Sequence, residues 1–159
     1  KGGVQREVQL SAQLSVEAGG TGQQAEELLV QLLLEQPQLR EHCDEVVRQT
    51  GLADASLRQI YKCLGELDGE LTLDKLSEHL DSEAQSALAR IAARAVPEGD
   101  NEQLLADCLR QLKRSYLEKE YATHSHLAQE YERLADERFI NELMESQRIK
   151  NEIKKLYGN

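Results

Sequence analysis

The chain predicts an all-α fold, and three observations carry that prediction. Leu, Glu, Gln, Ala and Arg dominate the 159 residues, while Pro occurs twice, Phe once and Trp not at all. That mixture favours helix. No segment alternates with a period of two long enough to make a strand, whereas apolar residues recur at steps of three and four nearly throughout. Capping and breaking residues also punctuate the chain at short intervals. The architecture expected is a helical bundle subdomain of five to six helices over 24–112, joined by a long helix to a C-terminal antiparallel helical hairpin over 113–159. No internal repeat is visible.

Residues 1–23 hold Gly2, Gly3, Gly19, Gly20 and Gly22 among Gln, Ser and Glu. This is the composition of a flexible linker. The opening Lys-Gly-Gly suggests a fragment whose preceding domains are missing. The first helix is expected from near Gln24 through Ala25, Leu28, Leu29, Leu32 and Leu33, stopping before Pro37 because the residue preceding proline disfavours helical ψ. Pro37 suits the first turn of a second helix, with Leu39, Cys43, Val46 and Val47 on one face and Gly51 at its end. Asp54 or Ser56 can cap a third helix through Leu57, Ile60, Tyr61 and Leu64, closed by Asp68-Gly69. Thr72 caps a short fourth with Leu73, Leu76 and Leu80. Ser82 and Gln85 have capping-box spacing and open a fifth through Leu88, Ile91, Ala92 and Ala95. Pro97-Glu98-Gly99-Asp100 breaks it. A sixth begins near Asp100 or Asn101, carries Leu104, Leu105, Cys108, Leu109 and Leu112, and runs on without interruption.

The last third has a different pattern. Leu117, Tyr121, His124, Ala128, Tyr131 and Ala135 are spaced in alternating steps of four and three. That is a narrow coiled-coil seam, not the wide stripe of a core helix. Ile140, Leu143, Ile149, Ile153 and Leu156 form the answering run, with a reversal at Ala135-Asp136-Glu137-Arg138. Two narrow stripes cover each other and little more. Tyr131, Phe139, Met144 and Tyr157 then remain as apolar surface, which usually marks a partner.

Charge supports an interaction surface of limited kinds. Residues 1–112 carry ten Lys/Arg against twenty Asp/Glu, and residues 113–159 nine of each, so the net charge of −10 lies entirely in the first part. An acidic body is a poor phosphate-binding surface, so no direct nucleic-acid contact and no membrane attachment are expected. Cys43, Cys63 and Cys108 stand singly, 20 and 45 residues apart, without any CxxC. They suit small buried thiols in a reducing cytoplasm. His124 and His126 would point about 200° apart on a helix, which is poor geometry for one metal. Gly19-Gly20-Thr21-Gly22 lacks the lysine and strand-to-helix context of a phosphate loop. No catalytic site, cofactor or metal is therefore expected.

The order of elements carries a resemblance. AEELLVQLLLEQPQL (25–39) is followed by IYKCLGEL (60–67), LTLDKLSEHL (71–80), PEGDNEQLLADCLRQLKRSYLEKE (97–120) and the charged terminal hairpin. Across residues 24–157 this resembles the C-terminal helicase-binding domain of bacterial DnaG-type DNA primases. The resemblance implies a bundle, a long connecting helix and a hairpin that anchors on the N-terminal domains of a DnaB-type hexameric helicase, with the bundle modulating helicase activity. It also implies zinc-binding and primer-synthesising domains upstream. The reversal departs from expectation in lacking glycine. No binding residue carries over by motif. Exposure and residue type instead select Tyr131, Arg138, Phe139, Leu143, Lys150, Lys154 and Tyr157 as partner-binding residues, because interface energy concentrates in aromatic and Arg anchors. The function expected is docking of a primase on the replicative helicase, coupling primer synthesis to fork unwinding, by a module that is monomeric alone. The alternatives are the self-associating N-terminal domain of such a helicase and a helical ligand-sensing or enzymatic domain using His124 or Cys108.

Overall fold

The computed structural model describes residues 21–67, 69 and 71–157, and among these every regular element is helical. The linker expected over 1–23 lies outside the described residues up to position 20, and Thr21–Gln23 already belong to a helix. The elements are α1 (Thr21–Glu35), a 3₁₀ turn (Pro37–His42), α2 (Asp44–Thr50), α3 (Ala55–Glu66), α4 (Leu73–Glu78), α5 (Ser82–Ala92), α6 (Asn101–Arg133) and α7 (Arg138–Tyr157). The chain forms two compact units that meet between Leu112 and Lys113, inside α6.

Helix α1 is the centre of the first unit. Leu29, Val30, Leu32 and Leu33 are fully buried, each such side chain contributing roughly 1.5–3 kcal/mol of burial. Because α1 packs against the 3₁₀ turn, α3 and α5, its polar residues are buried too and must be satisfied internally. Glu26 accepts from the backbone N–H groups of Ala53 (2.9 Å) and Asp54 (3.2 Å), fixing the entry to α3. Glu27 receives the guanidinium groups of Arg90 (3.4 Å) from α5 and of Arg94 (2.6 Å) just beyond its end. Gln31 donates to the Arg94 carbonyl at 2.8 Å. Leu39, Cys43, Leu57, Ile60, Leu76, Leu88, Ile91, Leu104, Leu105, Cys108 and Leu112 complete the same core.

Several local expectations need correction. The helix foreseen from Pro37 to Gly51 is broken at Cys43 into a 3₁₀ turn and a short α-helix. The turn is pinned from outside: Arg40 lies over the Tyr61 ring (4.4 Å to its centroid) and pairs with Asp44, which also accepts from the Tyr61 hydroxyl at 2.5 Å. Arg40 reaches this position by lying across Gly65, where a Cβ would fall 1.4 Å from its Nη1. The cap of α5 is Asp81 and not Ser82, since the Asp81 carboxylate accepts from the Ala84 N–H. Gln85 does not close a capping box but donates to the carbonyls of Ser77 and Leu80. Helix α5 also ends at Ala92, short of Ala95. Asp54 and Thr72 cap α3 and α4 as expected, and Gly51 takes a positive φ of 69°.

Candidate interaction surface on the helical hairpin

Helices α6 and α7 are joined by a reversal without glycine. The Ala135 N–H donates to the Glu132 carbonyl (3.1 Å) and the Asp136 N–H to the Tyr131 carbonyl (2.8 Å). That pair of bonds is the Schellman closure of a helix, with Ala135 in the left-handed position at φ 55°. Asp136 then starts α7, accepting from the Arg138 N–H at 2.9 Å. The Arg138 guanidinium grips the same carboxylate through Nε (3.1 Å) and Nη2 (2.8 Å) and covers the Tyr131 ring at 4.4 Å. These bonds, led by the Arg138 side chain, hold the Asp136 carboxyl down at about 2.

The seam of the hairpin differs from the one foreseen. On α6 it follows Leu117, Tyr121, His124, Ala128 and Tyr131, all buried or half-buried, as their spacing predicts. On α7 it follows Phe139, Glu142, Ser146, Ile149, Ile153 and Leu156. Glu142 and Ser146 occupy positions that the sequence reading gave to Ile140 and Leu143, and those two side chains point to solvent instead. Glu142 earns its place by a hydrogen bond to His124 across the seam.

As a result, an apolar row lies on the first two turns of α7, about half a turn round the helix from Ser146 and Ile149. Ile140, Leu143 and Met144 are 57%, 50% and 66% exposed, and Leu134 in the reversal is 60% exposed. Spacing of i, i+3 and i+4 makes the three α7 side chains adjacent. Further along, Lys150 and Lys154 are exposed and have no ion pair with a described residue, whereas Arg148 and Lys155 are paired with Glu145 and Glu152.

The seven residues chosen from sequence do not form one patch. Leu143 belongs to the exposed row. Tyr131 and Phe139 are half-buried, against the expectation that they are free surface, and Arg138 is engaged by Asp136 and Tyr131. Tyr157 is exposed at the opposite end of α7, about 28 Å from Arg138 along the helix at 1.5 Å per residue. There Arg114 of α6 lies over its ring, 4.8 Å from the centroid. Ile140 and Leu134 were missed. The signal that would have found them is the alternating three-four spacing 139-142-146-149-153-156, obscured because two of its members are polar.

Among the described residues no group of three His, Cys, Asp or Glu side chains could hold a metal ion, and no helix is long and apolar enough to cross a membrane. Burial raises the thiols of Cys43 and Cys108, to about 11 and about 12. What the geometry defines is a helical bundle with a hairpin that exposes an apolar row. No protein-family model matches the chain, and neither does any curated protein or solved structure.

Proposed function

We propose that this chain is a protein-interaction module that docks a DnaG-type primase on the N-terminal domains of a DnaB-type hexameric helicase, so that primer synthesis is coupled to fork unwinding. The observation that carries the reading is the row Leu134, Ile140, Leu143 and Met144 on the hairpin. An amphipathic hairpin that turns large apolar side chains outward while placing Glu142 and Ser146 inward is built for a groove on a partner. Lys150 and Lys154 extend the row with positive charge, which would set orientation and association rate against an acidic rim. The order of elements from α1 to the hairpin, which resembles the primase domain, supports the choice of partner. The reading implies a bacterial cytoplasmic setting and a chain that is monomeric until it meets the helicase.

Calorimetric titration of the full chain into a bacterial replicative helicase tests this, repeated with Leu143→Asp/Met144→Asp. Loss of two central anchors should weaken binding by about 2 kcal/mol or more, roughly thirtyfold. Equal affinity for the two proteins would remove the row from the interface. Absence of binding by the unaltered chain would overturn the reading itself.

A further inference from the structure

His124 is placed in the hairpin seam with both ring nitrogens facing carboxylates. Nδ1 lies against Glu142 of α7, and Nε2 is 3.6 Å from Glu120, one turn back on α6. Glu145, held by Arg148, adds a third negative charge from α7. A neutral imidazole has one N–H and one bare nitrogen, so it can satisfy only one of these carboxylates. The other would face a lone pair. Only the imidazolium both donates to Glu142 and turns a charged N–H toward Glu120, as an ion pair at 3.6 Å. The side chains of His124 and Glu142 are 24% and 22% exposed, which lets protons exchange while water screens the pair only in part.

We propose that His124, Glu142 and Glu120 form a proton-dependent latch that fixes the register of the two hairpin helices, closed while the imidazole carries its proton and loosened when it is lost. The latch is independent of which partner the hairpin meets. Deprotonation leaves Glu120, Glu142 and Glu145 around an uncharged ring, so the seam changes from attractive to repulsive at its polar centre. The Glu142 hydrogen bond, followed by the charges of Glu142, Glu145 and Glu120, raises the proton affinity of His124 against the opposing effect of burial. Stability from the latch is complete below the ordinary imidazole value of about 6.5 and is lost as pH rises through the raised folded-state value.

Two measurements on the full chain test the latch. The first follows the His124 ring by NMR titration in the unaltered protein and in Glu142→Gln. The midpoint should fall in the variant, and an unchanged midpoint overturns the proposal. The second follows urea unfolding of the hairpin between about pH 6 and pH 8.5 in the unaltered protein and in His124→Gln, a window that starts below the ordinary imidazole value and extends in the direction of the shift. The advantage of the unaltered protein should shrink as pH rises, by at most tenfold in the unfolding equilibrium per pH unit, the limit for one proton. A difference independent of pH overturns the proposal. If His124→Gln does not form the hairpin, the Glu142→Gln titration decides alone.

Discussion

Replacing Ala135 by glycine should stabilise the hairpin, which is unusual for a change that deletes a methyl group. Ala135 is the residue of the reversal with positive φ (55°), and both Schellman bonds depend on that conformation. Left-handed backbone costs a residue with a Cβ about 1–2 kcal/mol. Glycine removes that cost but gives the unfolded chain extra freedom, worth about 0.4–1 kcal/mol in the other direction. The net expectation is a gain of about 0.5–1 kcal/mol, a two- to fivefold shift in the unfolding equilibrium. Tyrosine fluorescence during urea unfolding is a suitable assay. The chain has no Trp, and Tyr116, Tyr121, Tyr131 and Tyr157 all lie in the hairpin, with Tyr61 alone in the bundle. Ala135→Val is the control and should destabilise, since a β-branched residue tolerates positive φ worst. A glycine variant that is neutral or weaker than the unaltered chain would refute the assignment of strain to this position.

Three further outcomes follow from the contacts. Glu26→Ala removes the acceptor of two backbone N–H groups at the start of α3 and should cost about 2–3 kcal/mol in thermal unfolding of the bundle, with Glu26→Gln recovering part. Cys43 and Cys108, fully buried with thiols raised to about 11 and about 12, should react with a thiol reagent at neutral pH only at the rate of bundle opening, with Cys63 reacting first. Asp136 has a carboxyl held down at about 2, so its contribution to the hairpin is present above the usual carboxylate value of about 4 and lost as pH falls toward 2. In Asp136→Asn that acid-dependent loss should shrink when urea midpoints are compared at about pH 4 and pH 2.

Helix class, element order and most of the bundle core were legible in the sequence because burial there follows a simple 3.6-residue period, and because Asp54, Thr72 and Pro97 punctuate it. The 3₁₀ turn was not legible. Its cause is the clamp of Arg40 on Tyr61 and Gly65 and of Tyr61 on Asp44, contacts between residues 17 or more positions apart that no local period records. Asp81 was missed as a cap because Gln59, 22 residues earlier, holds its free oxygen at 2.6 Å. In the first two turns of α7 the seam was misread by one position, whereas Ile149, Ile153 and Leu156 lie in it as expected. Counting apolar residues alone selects Ile140 and Leu143 for the seam, whereas the His124–Glu142 hydrogen bond selects Glu142 and turns the aliphatic residues outward.

A shift of the whole of α7 by one position would change several contacts at once. Rotating α7 by about 100° would exchange Glu142 for Leu143 at the seam and bury an apolar side chain worth roughly 1.5–3 kcal/mol. The same rotation would carry Ile149, now fully buried, off the seam and replace it with Lys150, and it would break the His124–Glu142 bond. Three groups therefore hold the observed phase together: Ile149 by burial, Glu142 by its bond to His124, and Asp136 by capping α7 with Arg138 in its grip. The outward row of Ile140, Leu143 and Met144 is a consequence of that phase. It leaves the isolated hairpin with less internal apolar contact than its composition permits. A partner that covered the row would recover that contact without disturbing the seam, so docking and hairpin folding should reinforce each other.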